Sequence, residues 1–287
     1  EYRMGGAGNV ALNLASLGAQ VSMLSVTGAD DNGATLKTLL GENDINTGHL
    51  LQVPSRITTT KTRIISRNQQ MMRLDSEITK ELSADEETLL LDTVKKFLEK
   101  EKPKAVIFQD YNKGVLTERV IKTVIDWCKT QGVITTVDPK RKNFFSYIGV
   151  DIFKPNLKEV KDGLNLIVDE VNRPVLDDIH NKLQQQLRHS ISFITLSEKG
   201  VYYQDNKESR IIPSHLRNIA DVSGAGDTVI AVASLVYAAT HDVNLMAEMA
   251  NIAGGLVCEE VGTAAIDKTR LLHECKALLP GYVVTAS

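Results

Sequence analysis

The stretch Asp221-Val222-Ser223-Gly224-Ala225-Gly226-Asp227-Thr228 leads without a break into Val229-Ile230-Ala231-Val232-Ala233-Ser234-Leu235-Val236, a run apolar enough to form a buried helix. Two glycines therefore stand at a helix entrance, and one carboxylate, Asp227, stands in the first turn. Free backbone N–H groups and the positive end of the macrodipole make such an entrance favourable for an anion. Glycine lets the backbone approach a phosphate with no Cβ in the way. An acid beside that anion hole is placed to take a proton from a hydroxyl while the hole holds charge developing on a phosphoryl group. The same residues also fit a plain helix N-terminus whose acid complements the dipole.

Working outward, apolar runs of strand length alternate with longer amphipathic stretches. Val21–Val26, Ala105–Phe108, Val133–Val137, Asp151–Phe153 and Ser192–Leu196 read as strands. Asp31–Leu40, Ala84–Lys100, Thr117–Thr130 with Thr117 as cap, a segment from about Leu157, and Pro174–Arg188 read as helices. Leu89, Leu90, Val94, Phe97 and Leu98 are expected on the buried stripe of the Ala84–Lys100 helix. Val201–Gln204 and Ser209–Ile212 form a hairpin pattern, while Ala225–Ala239 and Leu245–Glu260 are apolar around their circumference. This alternation predicts an α/β fold with a mostly parallel central sheet and helices on both faces. Ligands of such sheets bind beyond the carboxyl ends of the strands. Asp110, Asp138, Lys154-Pro155-Asn156 and Ser197 each follow a predicted strand.

One stretch breaks the pattern. Ile57–Asp75 is rich in Thr, Arg, Ile, Met and Gln, with Ser66-Arg67-Asn68-Gln69 as a turn, and reads as a β-hairpin. Neither face is cleanly apolar, so residues 50–76 are expected to project as a small β lid or dimerising clasp within one domain over 1–287. An ordinary edge hairpin is the plainer alternative.

A formal net charge of -3 argues against a general nucleic-acid binder. The three cysteines, Cys128, Cys258 and Cys275, are far apart and fit reduced thiols in a cytoplasmic protein. No Cys/His cluster has zinc spacing, and no apolar run is long enough to cross a bilayer.

A second glycine cluster, Gly5-Gly6-Ala7-Gly8-Asn9, precedes a helical pattern over Val10–Leu17 that ends at Gly18. Its backbone amides and the Asn9 amide suit the hydroxyls of a small polar ligand, and equally a tight turn capped by Asn9. Taken with Gly28 and with Asp221–Asp227, it resembles the paired signatures of the ribokinase-like (PfkB) sugar kinases, in the same order and over essentially the whole chain.

That resemblance implies roles. Asp227 would be the catalytic base, and Gly224, Ala225 and Gly226 the anion hole for the transferring phosphoryl. Asn156-Leu157-Lys158-Glu159 matches an N-x-x-E motif, in which Asn156 and Glu159 would organise Mg2+ and its waters beside ATP; as plain sequence it is also a helix cap. Thr195–Gly200 resembles the nucleotide loop, with Ser197 where glycine is usual and Gly200 retained. Asn251 matches a position near the nucleotide base, though a backbone partner would serve it equally, and Gly262-Thr263 resembles the following turn. A monovalent cation is a further cofactor the family suggests. Gly5, Gly6 and Asn9 would meet the sugar.

The lid sequence, with Asp110-Tyr111-Asn112-Lys113-Gly114 and Val137-Asp138-Pro139-Lys140, is similar to bacterial heptose kinases acting on D-glycero-D-manno-heptose 7-phosphate in lipopolysaccharide-core precursor synthesis. Lys61, Arg63, Arg67 and Lys113 offer cations for a phosphorylated sugar, with Arg63 and Lys113 foremost and Arg67 and Asn68 available to shape the turn. The resemblance also implies a strand and an acidic substrate-binding residue ahead of Gly5, an N-terminal region this sequence is expected to lack. Heptose kinase domains are often fused to a nucleotidyltransferase, and the residues after Leu279-Pro280-Gly281 are too few to encode one. Expected partners are a small sugar phosphate, ATP and a second copy of the chain, without nucleic acid or membrane.

Overall fold

A computed structural model of the chain describes residues 1–282 apart from 67–68, 169 and 216. The chain begins with α1 (Ala7–Ser16), β1 (Val21–Ser22), β2 (Ser25–Gly28), α2 (Asp31–Gly41), β3 (Ile45–Asn46) and β4 (Leu50–Val53). β1 pairs with β3 and β2 with β4, both parallel. The strand expected over Val21–Val26 is thus two strands, because its pairing partner changes between Ser22 and Ser25.

β5 (Thr60–Ser66) and β6 (Gln69–Ser76) form an antiparallel hairpin paired only with itself. Strict alternation sorts its residues. Thr62, Ile64, Met72 and Leu74 share one face, and Lys61, Arg63, Arg73 and Asp75 the other. As the sequence reading expects, neither face is cleanly apolar, since Thr60, Thr62 and Ser76 share the face of Ile64, Met72 and Leu74; those three apolar side chains are open to solvent, at 46%, 52% and 54% exposed. The turn residues Arg67 and Asn68 lie outside the described residues.

The main sheet is built from the rest: α3 (Ala84–Glu101), β7 (Ala105–Gln109), α4 (Glu118–Gln131), β8 (Ile134–Asp138), β9 (Ile152–Phe153), α5 (Leu157–Leu164), α6 (Arg173–Leu187), β10 (Ile191–Thr195), β11 (Val201–Gln204), β12 (Ser209–Ile212), α7 (Ala225–Thr240), α8 (Val243–Val257) and α9 (Lys268–Leu278). The strand order is β12-β11-β10-β9-β8-β7, with β7 to β10 parallel and β11 and β12 an antiparallel edge.

Successive side chains leave the sheet on opposite faces, which puts helices on both sides. Phe108, Val137, Phe153, Ile194 and Tyr202 point into one core with residues of α3, α4 and α6. Ile152, Phe193, Val201 and Tyr203 point into the other, against α7 and α8, while Ile107 meets Val10 of α1 and Ile230 of α7. α7 is apolar all round because it is covered by the sheet, α1 and α8, and each fully buried side chain such as Ile230 contributes roughly 1.5–3 kcal/mol. On α3 the buried stripe is Leu90, Leu91, Val94, Phe97 and Leu98. Leu89, expected there, is exposed, since 3.6 residues per turn set it opposite Leu98.

The carboxyl ends of β7, β8, β9 and β10 release Asp110, Lys140, Lys154 and Ser197 along one edge. The entrances of α1 and α7 meet at the same edge.

Candidate active site

Helix capping picks out the two glycine clusters. Seven helices carry a side-chain N-cap: Asp30, Ser83, Thr117, Asn156, Asn172, Asp242 and Asp267 each bond a first-turn amide. α1 and α7 do not; their caps are Gly6 and Gly224, with no side-chain bond. Gly6 has φ 54° and Gly224 φ 83°, the left-handed region in which a side chain is strained. A Cβ on Gly224 would lie 2.8 Å from Asn9 Nδ2, and one on Gly6 3.2 Å from the Tyr111 ring. The entrances of α1 and α7 are thus packed against each other with glycine at the joint. The Ala225 N–H makes only a long 3.3 Å bond to the Val222 carbonyl. Asp221 ties the motif down, accepting from the amides of Ser223 (2.9 Å) and Gly262 (3.0 Å). The Ser223 amide leads in holding its carboxyl below the usual range.

Asp227, in the first turn of α7, is 5% exposed and surrounded by donors. Its Oδ2 accepts from Asn9 Nδ2 at 2.9 Å, and its Oδ1 accepts from Gln109 Nε2 at 2.9 Å and the Tyr111 hydroxyl at 2.8 Å. Burial raises its pKa above the ordinary aspartate value, while the Asn9 and Tyr111 bonds pull it back. A desolvated carboxylate with a raised pKa and donors on both oxygens is suited to accept a proton. Asn9, expected to face ligand hydroxyls, is fully buried and directed at Asp227 instead. Gly5 is exposed with open space where a Cβ would go.

Beside Asp227 runs a chain of charge. Lys154, 2% exposed, pairs with Asp138 at 3.2 Å, and Lys140 links Asp138 (3.3 Å) to Glu159. Burial disfavours the Lys140 ammonium, but Asp138 and Glu159 outweigh it and hold its pKa above the usual lysine value. Asp110, another strand-end acid, is a buried structural group that accepts from Asn143 Nδ2 (3.0 Å), Tyr147 (2.8 Å) and the Asn112 amide (2.8 Å).

Asn156 and Glu159 form a reciprocal capping box on α5, each side chain accepting the other's amide at 2.8 Å. With Glu159 also bound to Lys140, these oxygens suit a Mg2+ held through its own water shell better than one bound directly. Among the described residues, no three His, Cys, Asp or Glu cluster in a way that would hold a metal alone.

The loop after β10 keeps the geometry its sequence put in question. Ser197 adopts φ 55°, left-handed backbone that glycine takes without strain. Gly200, φ 94°, is required by packing, because a Cβ there would come 2.0 Å from the Ile212 carbonyl oxygen. Asn251 has a backbone partner, donating to the Pro213 carbonyl at 2.9 Å. Ser197, Gly200, Pro213 and Asn251 therefore form a second cluster along the edge.

The expected cations are mostly paired. Lys61 contacts Asp75 (2.8 Å) and Glu77 (3.5 Å), and Lys113 contacts Glu77 at 2.5 Å. Glu77 thus joins the hairpin to the loop after β7. Arg63 stands directly across from Arg73 on the charged face. Sequence reading missed Gln109 and Tyr111 as partners of Asp227, and the Asp138–Lys154 pair. A lysine closing the apolar strand Ile152-Phe153 was the available signal for the pair.

The profile of the pfkB family carbohydrate kinases matches residues 1–270. Among curated relatives, the bifunctional protein HldE of Sulfurimonas denitrificans is 36% identical over 263 residues, covering 92% of this chain and 54% of the relative. The protein of the same name from Methylobacillus flagellatus is 36% identical over 281 residues, covering 96% and 56%. The chain thus spans about half the length of the curated relatives it matches. Among solved structures, phosphofructokinase-2 from Escherichia coli in complex with potassium superimposes with TM-score 0.76 at 17% identity, over 93% of this chain and 85% of that one. Arabidopsis thaliana ribokinase complexed with ribose and ATP gives 0.74 at 15%, over 92% and 86%. The fold is ribokinase-like.

Proposed function

The chain belongs to the pfkB family of carbohydrate kinases, phosphotransferases with an alcohol group as acceptor, and we propose that its acceptor is the C1 hydroxyl of D-glycero-β-D-manno-heptose 7-phosphate. The observation that carries the chemistry is the pair of uncapped, glycine-lined helix entrances meeting at Asp227. The similarity of the lid and its flanking loops to heptose kinases carries the choice of sugar.

In this reading Asp227 takes the proton of the acceptor hydroxyl, whose oxygen attacks the γ-phosphorus of ATP as ADP leaves. The amides of Gly224, Ala225 and Gly226 hold the charge on the transferring group. Asn156 and Glu159 would hold Mg2+ and its waters, and the ion would supply charge neutralisation at the nucleotide phosphates. Lys154 and Lys140 keep the acids beside the base paired. Ser197, Gly200 and Asn251 line the nucleotide end; Gly5 and Gly6 line the sugar end. Arg63 and Lys113 receive the sugar's own phosphate, and the hairpin closes as a lid that keeps water from acting as acceptor. Potassium is the monovalent ion to test.

The exposed face of Ile64, Met72 and Leu74 supports a homodimer formed through the hairpin, checked by light scattering; a monomer at working concentration removes it. No described helix is long and apolar enough to cross a membrane, and with three free cysteines the proposed location is the cytoplasm. A nucleotidyltransferase, fused or separate, is the proposed partner activity. The deciding experiment is ADP release across a panel of acceptors. Turnover of the heptose phosphate is expected; turnover of ribose or fructose with none on the heptose phosphate overturns the substrate.

A further inference from the structure

Asp227 has three hydrogen-bond donors, and they differ in how firmly each is held. Asn9 is fully buried in the first turn of α1. Gln109 is the last residue of β7, in register with Asp138 of β8. Tyr111 alone stands on a loop, is 38% exposed, and is followed by Asn112 at φ 53° and by Lys113, which is tied to Glu77 below the hairpin. Of the three donors, the Tyr111 hydroxyl is thus the one whose residue is neither in a helix nor in a strand.

An acceptor hydroxyl donating to Oδ1 needs the position the phenol now fills. That position is built for a hydroxyl, because Oδ1 there accepts an O–H at 2.8 Å beside the Gln109 amide at 2.9 Å. We propose that the Tyr111 hydroxyl is a stand-in for the acceptor hydroxyl: it satisfies the base in the empty site and is displaced when the sugar binds. Tyr111 is then a positioning residue that holds Asp227 in place until the acceptor binds. The assignment rests on Asp227 being the base, not on which sugar is the acceptor.

Tyr111→Phe isolates the hydroxyl, since the ring that packs on Gly6 and lies 5.9 Å from Lys140 Nζ is kept. The charged groups facing Asp227, Asp138 and Lys154, are untouched. Two readouts are needed. In the ligand-free protein, carbon NMR of labelled aspartate is expected to show Asp227 titrating at higher pH in Tyr111→Phe than in the wild type, because the ionised form has lost a donor. In steady-state kinetics, the acceptor KM is expected to fall about three- to tenfold, the effect of one competing hydrogen bond. The acid limb of kcat/KM, which reports the free enzyme, moves up; the acid limb of kcat, which reports the complex, stays.

If both limbs move together and kcat falls, Tyr111 keeps its bond during turnover and the displacement is wrong. If neither limb nor the NMR titration moves, the hydroxyl does not engage the base at all. Should the heptose phosphate fail as acceptor, the substrate reading fails alone, and the kinetics run on whichever sugar of the panel is turned over. Should no sugar be turned over, the ligand-free titration decides, and an unmoved Asp227 overturns the proposal.

Discussion

Two charged regions flank the mouth of the sheet, and they are built on opposite terms. Around Asp227, Asp138 and Lys154 the charges are buried, and each carboxylate oxygen has a named donor. Around Lys61, Glu77 and Lys113 the ion pairs are part-exposed, at the foot of a hairpin that pairs only with itself among the described residues. A buried charge without its partner costs several kcal/mol, whereas a surface pair contributes about 0–1 kcal/mol. The base region is therefore fixed by energetics, and the hairpin region is left adjustable. If Asp227 is the base, as proposed, holding it rigid while a sugar enters and leaves requires both.

The sharpest way to break this contrast is at the base. Asp227→Asn is expected to lower turnover by about 10²–10⁴-fold with nucleotide affinity nearly unchanged. ADP-release kinetics and calorimetric nucleotide binding measure the two; near-normal turnover removes Asp227 from the role. Next comes Lys154→Ala, which leaves Oδ2 of the buried Asp138 without its partner while Lys140 still holds Oδ1, and should cost about 3 kcal/mol of stability in urea unfolding. A loss under about 1 kcal/mol would mean that water reaches the pair and that the buried region is not what the contrast requires.

Smaller effects belong to the hairpin side. Gly114, φ 76°, backs onto Lys80, whose carbonyl oxygen would lie 2.0 Å from an added Cβ. Gly114→Ala should therefore cost about 1–3 kcal/mol and raise the acceptor KM more than it lowers kcat, as the hairpin base shifts. An unchanged KM would disconnect the hairpin from the sugar. Smallest is Glu77→Gln, expected to change stability by no more than about 1 kcal/mol and to weaken acceptor binding a few-fold at low salt, less at high salt. A loss of several kcal/mol would make this region as rigid as the base site and erase the distinction.

Much of this was legible from sequence for a local reason. The caps Thr117 and Asn156, the α5 start at Leu157 and the hairpin Val201–Ile212 follow from residues within a turn of each other. The two glycine clusters also read correctly as helix entrances. What misled was the environment of single residues. Leu89 was counted in a stripe it faces away from, and the partners of Asn9, Lys61 and Lys113, which are Asp227 and Glu77, lie too far along the chain to be read from a local pattern.

Asp221–Thr228 by itself determined that a helix would begin at glycine with an acid in its first turn, because propensity and capping act over a few residues. Only the tertiary structure decided who completes that acid. Asn9, Gln109 and Tyr111 lie 218, 118 and 116 residues away in sequence. Strand order brings β7 beside β8, and the packing of α1 on α7 brings Asn9 across. Contacts at that separation depend on which strands become neighbours and which face each residue takes, and no window along the chain contains that information.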